Sequence, residues 1–245
     1  MHVFSPEGYE HALRSAEQRG FKVVPLSDRK TVGPDVKALY LRHDVDADLD
    51  ASVAMARLEQ SMGIRSTYLF MVRSPVYNLF SRYARTAVES VLQAGHSIGI
   101  HFDAHGMTHE SDVRRTLHRE TRMMAEEFSL DIECVSFHQP SSEVLSGNFT
   151  FDGLLNAYSS NDFHDTLYLS DTNRSSRFWE QWDAFLAQSD SSVQLLIHPM
   201  WWMYSQDQPW QVWNQVLVDA FRGAMLQVLE TERAIDPESA SRLFA

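Results

Sequence analysis

The sequence is short of cysteine, of positive charge and of long apolar runs, and each shortage removes a class of proteins. A single cysteine, Cys134, in 245 residues excludes an intrachain disulfide framework. It stands in the apolar run 132–137, which marks it as a buried, inert thiol rather than a nucleophile. Lysine and arginine number 21 against 33 aspartates and glutamates, a formal charge of −12. Nucleic acid and anionic membrane surfaces both require a basic footprint, so neither is an expected partner, and a neutral or amine-bearing ligand is easier to hold. No uncharged run is long enough to span a bilayer, and Met1 to Glu7 lack the basic start and apolar core of a secretory signal. The expectation is a cytoplasmic protein with no membrane span. Internal repeats, low-complexity tracts and domain linkers are also missing.

What is present is an ordinary globular composition, 44% hydrophobic and 22% charged, at a length that one large domain over 1–245 accommodates. Ser5-Pro6-Glu7 reads as a helix start and Gly20 as its end, before a short strand at 21–24. Apolar runs then alternate with amphipathic stretches: strands at 38–43, 67–72, 97–102 and 133–138, separated by helices at 49–61, 79–93 and 112–128. Gly63 and Gly95 fall where helices give way to strands. The middle is less regular, with strands expected at 157–160 and 167–170, then a helix at 177–187, a strand at 193–197 and a long helix from Pro209 to about Thr231. Strand–helix alternation of this kind implies parallel βαβ units, hence an α/β fold. Chemistry in such folds gathers at the carboxyl ends of the strands, where Asp44, Asp46, His101, His105, His138 and His198 all fall.

His101 and His105 stand four apart after an apolar run, close enough to share a divalent ion that needs a third ligand from elsewhere. Asp44-Val45-Asp46, ending the run 38–41, supplies two carboxylates on one side of a strand, one to bind metal and one to handle a proton. Two imidazoles and one carboxylate leave positions free for water and substrate, the pattern of a catalytic site, with zinc the default ion. The aspartates also admit readings as helix caps, as the Asp-x-Asp of a glycosyltransferase, or as an aspartate-dependent phosphatase. Asp48 or Asp50 serves as a cap equally well, and a phosphatase has no use for His101 and His105. His198 closes the strand 193–197 and reads alternatively as a core histidine. Trp179 with Trp182, and Trp210 with Trp213, have the i,i+3 spacing of core packing. Trp201 and Trp202, directly after His198-Pro199, offer aromatic faces on which a sugar could stack.

Asp44-Val45-Asp46, the Gly95-to-His105 stretch with its Gly-His-x-Ile-Gly lead, and Leu195-Leu196-Ile197-His198 together resemble the polysaccharide deacetylases of carbohydrate esterase family 4, over about residues 38–199. The resemblance implies an irregular (β/α) barrel in a single domain and hydrolysis of the N-acetyl group of a sugar. By the same resemblance Asp44 is the base, Asp46, His101 and His105 hold the metal, His198 is the general acid, and Asp171, with Asp162 as a rival, orients His198. Ser136-Phe137-His138-Gln139-Pro140 resembles the family segment whose arginine holds the catalytic aspartate; His138 replaces that arginine, and Arg42 or Arg174 is a substitute. Substrate contacts are expected from His138, Trp201, Trp202 and Arg42. The expected substrate is a saccharide or a nucleotide- or lipid-linked sugar precursor of surface polysaccharide, with no oligomeric state assigned. Two further readings stand beside this one: hydrolysis of a small non-sugar amide, and a metal-stabilised saccharide-binding domain without activity.

Overall fold

The computed structural model describes residues 3–107, 109–147, 149–188 and 191–232. The chain divides into two compact units, Met1–Ser205 and Gln206–Ala245.

The first unit opens with α1 (Pro6–Gln18), where Ser5 Oγ accepts from the Gly8 amide at 3.1 Å and Gly20, at φ +85°, turns the chain away. The strands are β1 (Lys22–Pro25), β2 (Ala38–Val45), β3 (Thr67–Phe70), β4 (Ser97–Asp103), β5 (Cys134–His138), β6 (Leu155–Asn156), β7 (Leu167–Ser170) and β8 (Val193–Ile197). All pairings are parallel, in the order β6-β5-β4-β3-β2-β8-β7, with β1 on β2 over 38–41 where β3 has not yet begun. Crossovers run through α2 (Leu49–Met62), α3 (Arg82–Gln93), α4 (Glu110–Phe128), α5 (Ser142–Gly147), α6 (Ser160–Phe163) and α7 (Arg177–Gln188), and α8 (Pro199–Met203) follows β8. No pairing between β6 and β7 closes the ring among the described residues, so the barrel is irregular and open. The expected strand at 157–160 is not formed. Asn156 Oδ1 accepts from the Tyr158 amide at 3.0 Å, which turns the chain out of the ladder and into α6.

β2 is the organising strand, every residue of it buried. Its side chains alternate: Arg42 and Asp44 face the barrel interior, where Asp44 meets Ser136 of β5, and His43 faces outward onto Glu59 of α2. Inside, Gly99 of β4 admits close packing, since a Cβ there would stand 2.7 Å from the Cys134 carbonyl oxygen. Outside β2, Glu59 is saturated. It accepts from Tyr9 Oη, from His43 Nε2 at 2.8 Å, from Ser66 Oγ at 2.7 Å and from Tyr68 Oη at 2.9 Å. Burial opposes its charge, but His43, His96 and Tyr9 outweigh that and hold its carboxyl below the usual range.

An aromatic cluster closes the side of the unit near α8. Trp202 is fully buried, with Phe4 at 4.8 Å, Tyr9 at 5.5 Å, Phe178 at 5.5 Å and Trp179 at 5.6 Å between ring centroids. Trp179 and Trp182 are core residues, as their spacing suggested. In the second unit, α9 (Pro209–Thr231) begins at a capping box between Gln208 and Gln211. Its Trp210 is 67% exposed, contrary to the core position expected of it. No helix among the described residues is long and apolar enough to cross a membrane.

Candidate metal centre

Three side chains converge where β2, β4 and β5 end: Asp46 just past β2, His101 on β4 and His138 closing β5. Asp46 Oδ1 lies 3.0 Å from His101 Nε2 and 3.3 Å from His138 Nδ1, and the two ring nitrogens are 3.1 Å apart. Ligands at about 2.0–2.1 Å from a tetrahedral ion stand roughly 3.3 Å from one another, so this triangle has the dimensions of one face of such a site. Asp46 Oδ1 is buried yet accepts no well-aligned hydrogen bond. His138 is shifted upward, chiefly by the Asp46 carboxylate beside it.

The tautomer of His101 is fixed from behind. Ser136 Oγ donates to Asp44 Oδ1 at 3.0 Å, so its single proton is used, and it accepts from His101 Nδ1 at 2.7 Å. Nδ1 therefore carries the hydrogen and the Nε2 lone pair points at Asp46 and His138. This is the arrangement a metal-ligating imidazole requires, and the donor set suits a divalent ion.

His105 is not part of the triangle. β4 ends at Asp103, whose Oδ1 accepts from the His105 amide at 2.8 Å and bends the chain into a turn through Gly106 at φ +78°. The His105 side chain is exposed, and the third corner belongs instead to His138, for which a substrate contact was expected. Register explains this: β4 and β5 are neighbours, with Asp103 beside His138, whereas four residues along the chain lead around a turn.

Asp44, expected to act as base, sits behind His101 rather than in front of the triangle. Its Oδ2 is 3.5 Å from His101 Nδ1, the nitrogen facing away from Asp46, and the side chain is 1% exposed. Arg42 is wholly buried, so it reaches no substrate; its Nη2 lies 3.8 Å from Asp44 Oδ2 and donates to Tyr158 Oη at 3.1 Å. Arg174, the other candidate to hold Asp44, donates to the Phe4 carbonyl instead.

His198 follows β8 and faces the triangle with Nε2, 3.9 Å from Asp46 Oδ2. Asp171 holds it from the other side, with Oδ1 2.6 Å from His198 Nδ1 and Oδ2 accepting the His198 amide at 2.8 Å and Trp202 Nε1 at 2.8 Å. Burial disfavours the charged ring, but Asp171 and Asp46 override it and raise His198 to about 9. Asp162, the rival to Asp171, receives Arg29 Nε on its carbonyl at 2.7 Å. The sugar-stacking role expected of the tryptophans fails on burial: Trp202 is 0% exposed and anchors Asp171, and Trp201 is 5% exposed. Ser136 escaped the sequence reading, although strand alternation places it on the same face of β5 as His138.

A cavity of about 650 Å³ opens beside His138, between the segment after β4 and the segment after β5; Asp103, His105, His109, Gln139 and Phe149 help to line it.

No family model matches this chain, and no curated protein matches it. Solved structures do. A CE4 family pseudoenzyme from Bacillus anthracis aligns at 14% identity and a TM-score of 0.50, over 78% of this chain and 63% of that one. The chain thus spans less than two thirds of the length of that protein. The peptidoglycan deacetylase PdaC from Bacillus subtilis aligns at 12% identity and a TM-score of 0.48, over 84% of this chain and 100% of that one. A family 4 acetyl xylan esterase from Clostridium thermocellum, in complex with a cobalt ion, aligns at 13% identity and 0.40, over 75% and 83%. The chain has the fold of the carbohydrate esterase family 4 polysaccharide deacetylases.

Proposed function

We propose that this protein is a metal-dependent hydrolase that removes an N-acetyl group from a saccharide. The observation that carries the reading is the triangle of Asp46 Oδ1, His101 Nε2 and His138 Nδ1, with its edges of 3.0–3.3 Å, set beside a histidine–aspartate pair. A divalent ion held there, zinc by default, supplies a Lewis acid for the acetyl carbonyl and lowers the pKa of a water. The chain's own residues do the rest. His198 presents Nε2 as the proton-carrying atom facing the triangle, and Asp171 fixes its ring so that the proton can be handed to the departing amine. Water adds to the acetyl carbonyl, the C–N bond breaks as His198 protonates the nitrogen, the protons lost by the water pass to solvent and His198 regains its own from solvent, so that water and amide become a carboxylate and an amine.

The cavity bears on the substrate. About 650 Å³ is generous for a small non-sugar amide and suits a saccharide. Among the described residues that line it none is a lysine or arginine, which favours an uncharged saccharide over a nucleotide diphosphate sugar. A role in the biosynthesis of surface polysaccharide is part of the same proposal. A second reading, saccharide binding without turnover, is favoured by one observation: a structural neighbour is a pseudoenzyme. Acetate release from N-acetylated oligosaccharides, with zinc and with a chelator, decides between them. Release that the chelator abolishes and zinc restores supports the hydrolase; saccharide binding with no acetate supports the second reading.

A further inference from the structure

We propose that this chain pairs with a second copy of itself through α9, as a parallel two-stranded coiled coil. The helix carries a seam of the required period, and that seam is open to water from end to end.

Trp210, Asn214, Leu217, Phe221, Ala224, Val228 and Thr231 follow one another along α9 at alternating steps of four and three, the heptad spacing that sets side chains in one row. All seven are exposed. Val212 and Val216, the buried residues of the helix, stand more than ~100° round from the centre of that row. Charge keeps off the row as well: Asp219, Arg222 and Glu230 occupy the remaining faces, with Asp219 and Arg222 4.0 Å apart as an i,i+3 pair. An apolar stripe of this length is unfavourable in water until something covers it. Trp210 is 67% exposed, Phe221 65%, Leu217 52% and Val228 41%. These four side chains present roughly 500 Å² per copy, so pairing removes about 1,000 Å² from water, the lower bound for a specific interface. A seam that repeats every seven residues is complementary to itself across a two-fold axis, which fits a second copy. Asn214 sets the number of strands and the register. A single polar residue in an otherwise apolar row is satisfied by its counterpart on the second helix, and this aligns two chains in parallel. A lipid surface fits less well, because helices that lie on membranes carry lysine and arginine on their polar face. Here Arg222 stands against Asp219 and Glu230, in a chain of formal charge −12.

The test is sedimentation equilibrium of the full chain over a wide range of concentration, made on the parent, Leu217→Glu, Leu226→Glu and Asn214→Cys. The parent should reach twice the 28.1 kDa of one chain. Leu217→Glu should stay at one chain's mass, because it buries a carboxylate from each copy in the seam. Leu226 is the control: it is 51% exposed on the far side of the same helix, so its change to glutamate alters helix propensity equally and should leave the dimer intact. Asn214→Cys should form an interchain disulfide on oxidation, since the parallel register sets the two copies of position 214 side by side, and Cys134 is buried. A parent at one chain's mass throughout overturns the proposal; if that parent sediments with phosphatidylcholine vesicles, the seam belongs to a lipid surface instead. A dimer that survives Leu217→Glu, that Leu226→Glu also breaks, or that fails to cross-link at position 214 overturns it too.

Discussion

The chain builds the same trio twice, a carboxylate with two histidines, on opposite faces of one strand. Outside β2, Glu59 meets His43 at 2.8 Å and His96 at 3.5 Å; just past its end, Asp46 meets His101 at 3.0 Å and His138 at 3.3 Å. Residue types do not separate the two sites, but hydrogens do. His96 Nδ1 accepts the Ser66 amide at 3.1 Å and its Nε2 donates to the Ala56 carbonyl, so no lone pair is left for an ion. Glu59 is filled by four donors and shut away from solvent. At the other trio, Ser136 takes up the hydrogen of His101, which leaves a lone pair among converging acceptors beside a cavity. A carboxylate whose oxygens are all satisfied makes a structural node, and one with a buried unsatisfied oxygen among imidazole nitrogens at this spacing makes a candidate ion site.

Substitutions should split the two trios cleanly. Asp46→Ala is expected to lose bound zinc altogether, from one equivalent to none by metal analysis, while the protein stays folded. His198→Gln should lower acetate release by about 10²–10⁴-fold, the usual contribution of a positioned acid or base, and leave zinc content unchanged. Glu59→Ala should do the reverse, keeping zinc at one equivalent while denaturant unfolding shows a loss of about 3–5 kcal/mol, because it strands the buried donors around it. Acidity sharpens the contrast. His96 is held neutral, its pKa lowered first by burial, and Glu59 is held ionised below 4.5. In both cases the unfolded chain binds the proton more readily. The stability contributed by this trio should therefore be complete above about pH 6.5 and fall as acid is added, first through His96 and then, below 4.5, through Glu59, whereas that contributed by His198, raised to about 9, should be lost as pH rises from 6.5 through 9. Melting curves should flatten between about pH 4.5 and 6.5 in His96→Gln. The smallest effect belongs to His105→Ala, within about 0.5 kcal/mol of the parent, since an exposed side chain is removed and the turn is held by its backbone amide.

Much of the fold is written in periodicity. The strands β2, β3, β4, β5 and β8 stand where apolar runs are bounded by polar turns, and Asp48 caps α2 through the Ala51 amide at 2.9 Å. Segment 157–160 misleads because the Asn156 side chain competes for the backbone, a local contest that hydrophobicity does not record. At the site, Asp46, His101 and His198 follow from their places at strand ends, and Asp171 follows only from the family resemblance. The third corner does not. His105 is near His101 in sequence, and His138 is near it in space, because register between β4 and β5 is a property of the sheet. Ser136 and Glu59 were illegible for a related reason: each matters through partners on other elements, and nothing along the chain names those partners. Trp201 and Trp202 sit beside His198 in sequence but turn into the core with α8.

The most direct test is a zinc titration of His138→Ala beside His105→Ala. The account expects His138→Ala to lose stoichiometric zinc and His105→Ala to bind it as the parent does. Zinc retained by His138→Ala and lost from His105→Ala would contradict it, and would place the third ligand on the turn after β4 instead of at the end of β5.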